Sequence, residues 1–170
     1  MSETEGVPQE QYEIDCESGK MQVAVSKERL GSFGGRNIDI EGTTIQHTRF
    51  RSLVQLGYFN MEEAERIYND VAMKLVEEKQ RQGEQPTYAA LLGPTIEAPE
   101  MHHIMDMFPF IRFTLDWSMR SLPGKGIKQL ETHVKKGSAF YDLLKERNFQ
   151  EVAISRRQPE MTLMRLRFPE

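Results

Sequence analysis

The chain holds a single cysteine and a single tryptophan in 170 residues. One cysteine excludes an intrachain disulfide framework and fits a reducing compartment, so an intracellular, cytoplasmic location is expected. Cys16 lies beside Asp15 and Glu17, not in the electropositive setting that makes a thiolate reactive. No apolar run approaches the roughly 18–20 residues that cross a bilayer, so membrane insertion is not expected. The start, MSETEGVPQEQYEID, is acidic and lacks the apolar segment of a secretory signal. HExxH, CxxC, HxH and GxSxG are all absent, as is a Walker lysine loop. No Ser-His-Asp or Cys-His arrangement stands out either. The chain is therefore expected to hold no cofactor.

What is present begins with the balance of residues. Hydrophobic residues make up 38% and charged residues 28%, a profile of one compact domain with a wet surface. The net charge of −4 hides a gradient. Residues 1–19 carry six acids and no base, residues 20–119 carry 11 bases against 14 acids, and residues 120–170 carry 11 bases against 6 acids. An acidic head and a basic tail point to self-contact or head-to-tail assembly more than to generic polyanion binding.

Patterning predicts an α+β fold that is mainly α. Residues 1–19 read as an acidic disordered tail. Residues 20–43 read as an extended arm with short strands: Met21, Val23 and Val25 alternate with polar or small residues, and Ile38 and Ile40 follow a glycine loop. Residues 44–148 read as a helical core of about five helices. Phe50, Leu53 and Val54 suggest the first. The clearest is residues 60–82, with Asn60 and Glu63 as a capping box and an apolar stripe from Met61 to Val76. Residues 83–99 are a connector with a short turn at "TYAALL". Pro99 starts another helix, Pro109 breaks it, and a central helix follows. Ile127, Leu130 and Val134 suggest a helix ending at Gly137, and Ser138 caps the next, which ends at Asn148. Residues 149–170 read as a β-hairpin, with residues 20–170 forming one domain and the N-terminal strands pairing either with that hairpin or with a neighbouring chain.

The stretch APEMHHIMDMFPFIRFTLDW, residues 98–117, holds the most conspicuous side chains. His102, His103 and Asp106 are metal-ligand types, but only His102 and Asp106 share a helix face, and a catalytic zinc wants three protein ligands. A surface hydrogen-bonded pair is the preferred reading, with a metal-dependent enzyme as the minority one. Arg112, Asp116 and Arg120 fall at successive i+4 steps and are read as a partly buried Arg–Asp–Arg network specifying packing. For nucleic acid the candidates are Arg156, Arg157, Arg165 and Arg167 on the hairpin, which would track phosphates along a β-ribbon. GSFGGR near Arg36 and PGKG with Lys125 read as a hinge and a turn before they read as anion cradles.

Residues 138–154, SAFYDLLKERNFQEVAI, resemble the closing helix and strand of N-acetyltransferases. The preceding strand and a loop for the acyl-CoA pyrophosphate are missing from the sequence pattern, so the resemblance is not extended to the family. The function expected from sequence is a non-enzymatic assembly subunit or scaffold, acting through a protein partner or self-association in an oligomer or larger particle. Extended ends, opposite terminal charges and ten adaptable methionines support it. A nucleic-acid-associated, nucleocapsid-like protein is the alternative.

Overall fold

A computed structural model describes residues 8–30, 36–62, 74, 77–79, 81–97, 105–154 and 158–169. It overturns the mainly helical expectation: the protein is predominantly β, built around one mixed sheet. The strands are β1 (Pro8–Cys16), β2 (Gly19–Ser26), β3 (Arg29–Leu30), β4 (Arg36–Thr44), β5 (Arg49–Gly57), β6 (Tyr88–Glu97), β7 (Gln129–Lys135), β8 (Gln150–Ile154) and β9 (Met161–Arg167). Their order across the sheet is β1-β2-β4-β5-β6-β7-β9-β8, with β3 paired to β4. All neighbours are antiparallel except β6 and β7. The N-terminal strands and the C-terminal hairpin therefore lie at opposite ends of the sheet and do not pair with one another.

Four segments depart from their sequence reading. In β5 the buried residues are Phe50, Ser52, Val54 and Leu56, a strict alternation. Counting only Phe50, Leu53 and Val54 matches a helix equally well, because short windows satisfy both periods. In β7, Leu130, Thr132 and Val134 are buried on one face, and Gln129 and Glu131 are buried on the other. An apolar-only count misses that polar half and turns the strand into a helix. "TYAALL", taken as a turn of helix, belongs to β6. Residues 8–16, placed by sequence in the disordered tail, form an edge strand whose Tyr12, Ile14 and Cys16 pack on the core.

Helix α1 (Met107–Ser121) lies between β6 and β7, and α2 (Ala139–Glu146) between β7 and β8. Pro109 sits in the first turn of α1, where its missing N–H has no intrahelical partner to lose, so it does not break the helix. Ser138 caps α2 by accepting the Tyr141 N–H at 3.1 Å, and Asn148, at φ 69°, turns the chain into β8. Residues 61–62, 74, 77–79 and 81 are helical; the remainder of the expected 60–82 helix lies outside the described residues.

One face of the sheet makes the core. Met21, Val23, Ile38, Ile40, Phe50, Val54, Leu91, Leu130 and Met164 meet Phe110, Leu115 and Trp117 of α1 and Leu144 of α2 in one cluster. Gly42 lets α1 approach: a Cβ there would stand 2.6 Å from Met21 Sδ and 2.8 Å from a carbon of Phe110. Phe110 in turn stacks on Phe50, with ring centroids 5.7 Å apart.

Candidate functional site

Among the described residues the sheet has one parallel junction, and its pairing is interrupted there. β6 and β7 pair only at Tyr88–Gln129, Ala89–Leu130 and Ala90–Glu131, although β6 runs on to Glu97 and β7 to Lys135. At the next step the Thr132 hydroxyl donates to the Leu91 carbonyl at 2.8 Å, a side chain standing where ladder pairing stops. Beyond it the strands part, and their facing backbone groups lie outside the ladder.

Each wall of this gap is fixed from behind. β6 is paired to β5, with a register shift between Arg51 and Leu53 that accommodates Gly93 and Pro94. Gly93 has φ 99°, and a Cβ there would come within 3.0 Å of the Arg51 carbonyl, so the bulge requires glycine. β7 is held by the carboxylate of Glu131, which is 1% exposed. That carboxylate accepts the Met61 backbone N–H at 2.7 Å, Arg165 Nε at 2.8 Å and the side-chain amide of Gln129. Arg165 also donates to Glu62 at 3.3 Å. Glu131 thus joins β7, β9 and the start of the helical segment after β5, where an anion favours the helix N-terminus.

On the sheet face opposite the core, Asp39 of β4 collects Arg29 at 2.8 and 3.3 Å and Arg51 at 3.1 Å, while its own N–H donates to Ser26 Oγ. Burial opposes ionisation of Asp39, but the hydrogen bonds and charges of the two guanidinium groups outweigh it and hold the carboxyl below its ordinary value.

The residues singled out by sequence are dispersed. His102, His103, Arg156 and Arg157 lie outside the described residues. Asp106 is buried at the start of α1, where one oxygen accepts the Ser18 N–H at 3.0 Å and the other has no partner among the described residues. No group of three potential metal ligands occurs among the described residues. Arg165 is engaged by Glu131 and Glu62, and Arg167 is exposed at the end of β9. Asp116 takes two hydrogen bonds from Arg147, at 3.1 and 3.4 Å, which ties α1 to the end of α2. Arg112 is exposed with its guanidinium 5.0 Å from the Phe108 ring, and Arg120 is exposed beyond it.

Sequence reasoning missed Glu131, Thr132 and the parting of β6 from β7. Alternation of Gln129, Glu131 and His133 with Leu130 and Val134 was the available signal for the strand. The length of its pairing with β6 had no local signal, since it depends on tertiary anchoring. No helix among the described residues is long and apolar enough to cross a membrane. No family model matches the chain, and no curated protein matches its sequence.

Proposed function

We propose that the chain is an acyl-transfer protein that holds the amide-bearing arm of an acyl thioester between β6 and β7. The observation carrying this reading is the parting of two parallel strands in mid-sheet after three residue pairs. Backbone donors and acceptors facing such a gap need partners, and an extended ligand with its own amides supplies them as an added strand would. The pantetheine arm of an acyl-CoA has that character: a narrow chain with amides along its length and a thioester at its end. The resemblance of residues 138–154 to N-acetyltransferases supports the same reading, because β7, read from the sequence as a helix, is a strand preceding them. In this reaction class an amine nitrogen attacks the thioester carbonyl. The C–S bond breaks as the C–N bond forms, and the proton lost by the amine ends on the departing thiol.

Titration with acetyl-CoA, followed through backbone amide NMR shifts, tests the reading. Saturable shifts concentrated at residues 91–95 and 132–135 are expected, and the absence of any saturable change there overturns it. A second reading, an assembly subunit acting through protein–protein contacts, is favoured by β8, whose outer edge is unpaired among the described residues and where Ile154 is 65% exposed. A monomer in light scattering at both low and high salt removes that second reading.

A further inference from the structure

The vertex of the β6–β7 gap is closed, so an extended arm enters from the mouth, at the C-terminal ends of the two strands. The last rung pairs Ala90 with Glu131, and just beyond it the Thr132 hydroxyl bonds the Leu91 carbonyl. An acyl-CoA carries a bulky nucleotide at one end of its arm and the thioester at the other. Only the thioester end is narrow enough to lead, so it comes to rest next to the vertex. Leu92 of β6 and His133 of β7, each two residues past the last rung, stand at that level.

The two faces of the sheet differ there. Towards the core, Leu91, Leu130 and Val134 are buried in the cluster shared with α1 and α2. Alternation sends Leu92 and His133 to the other face, where both are half-buried. Among the described residues, the face left open to an amine is therefore the one that carries His133. An arm lying as a strand beside β7 runs about 4.8 Å from it, the spacing at which side chains on one face of neighbouring strands meet.

The charged groups around His133 are already engaged or point elsewhere. Glu131, two residues back on the same face, is bound by the Met61 N–H, Arg165 and Gln129. Arg165 of β9 is held by Glu131 and by Glu62 of the helical segment after β5. Opposite His133 on β9 stands Leu163, buried and apolar, and β6 contributes Ala90 and Leu92. Lys135 is exposed towards the mouth. The His133 ring bonds no other described residue, which leaves both its nitrogens for a ligand. Acyl transfer to an amine releases a proton at nitrogen and requires one at sulfur, and a neutral imidazole can take the first and supply the second.

We propose that His133 carries this proton, which deepens the acyl-transfer reading above and rests on it. The amine nitrogen attacks the thioester carbonyl, the C–N bond forms as the C–S bond breaks, and His133 accepts the nitrogen's proton and passes it to the departing thiolate. The chain has four histidines, so each ring signal is assignable by substitution. Titration of the full chain with acetyl-CoA and, separately, with CoA should shift the His133 ring saturably and to different end points, because only one probe carries an acyl group. His133→Gln should bind acetyl-CoA within about threefold of the wild-type affinity. In the presence of small primary amines such as 2-phenylethylamine it should release thiol about 100-fold more slowly, and imidazole added to His133→Ala should restore part of the rate. A His133 ring that stays fixed at saturating acetyl-CoA overturns the role and leaves the gap reading standing. So does a folded His133→Gln chain that turns over within about threefold of wild type, or a wild-type chain that binds acetyl-CoA yet releases no thiol to any amine. No saturable shift anywhere in the chain with acetyl-CoA overturns both.

Discussion

Glu131→Gln tests whether one buried carboxylate holds β7 at the edge of the gap. Glu131 is 1% exposed and takes donors from the Met61 backbone, Arg165 and Gln129. Glutamine keeps a single acceptor oxygen and sets its own amide against a donor. Breaking a buried ion pair from one side costs about 3–5 kcal/mol when the partner is left uncompensated. Here Arg165 retains Glu62 at 3.3 Å, and the Glu62 side chain is 36% exposed, so the penalty is partly relieved. The expected cost is about 2–3 kcal/mol for glutamine and about 3–5 kcal/mol for Glu131→Ala, which removes every acceptor. Urea unfolding reads this directly. With a slope of about 2 kcal/mol/M, the glutamine midpoint should fall by about 1 M or more. Arg165→Met should cost a similar amount. The double variant Glu131→Gln/Arg165→Met should cost less than the sum of the two singles by about 1–3 kcal/mol, because each single strands the other's charge. Additivity of the two within about 0.5 kcal/mol would refute the reasoning, since two residues sharing no interaction behave that way.

Two further outcomes follow from the packing and the charges. Gly42→Ala should lower stability by about 1–3 kcal/mol, or about 2–4 °C in Tm per kcal/mol for a domain of this size, because the added methyl meets Met21 and Phe110. Calorimetry of Gly42→Ala in a Phe110→Leu background should show a smaller decrement, and an equal decrement in both backgrounds would mean that the helix, not the ring, sets the spacing. Asp39 has a folded-state pKa below its ordinary value, so its contribution is present above the unfolded-state pKa, about 3.9, and is lost as pH falls through the folded value. Asp39→Asn should therefore flatten the acid limb of the stability profile, and a profile unchanged between pH 2 and 5 would contradict the pairing with Arg29 and Arg51.

Parts of this fold were legible because their signals are local. Alternation at Met21, Val23 and Val25, the hairpin of β8 and β9, and the Ser138 cap with Asn148 at its far end each depend on neighbours a few residues away. β5 and β7 were illegible because the information that decides them is not apolar. In β5 the buried Ser52 completes the alternation, and in β7 Gln129, Glu131 and Thr132 are buried by virtue of partners at Met61, Arg165 and Leu91. A hydropathy count treats such residues as solvent-facing and shifts the period from two towards 3.6. The histidines of residues 98–117 drew attention by residue type, whereas the gap is a relation between two strands separated by a whole helix.

That relation also explains why the sheet stays open there. β6 and β7 begin in register, and nothing in the chemistry of Leu91 or Thr132 forbids another rung. The rung is lost because each strand is bound more strongly on its outer side. β7 pairs with β9 along its full length, from Gln129–Arg167 to Lys135–Met161, and is anchored through Glu131 to Arg165. β6 follows β5 through the Gly93 bulge, which bends the strand and increases its twist. Thr132 then removes the cost of the first orphaned carbonyl by supplying a hydroxyl to Leu91. A gap produced by missing partners would close on any small adjustment. One produced by opposed anchors, with its vertex sealed by a side chain, stays open by itself; under the proposed acyl-carrier reading it would spare an incoming chain the work of opening it, a form of preorganisation.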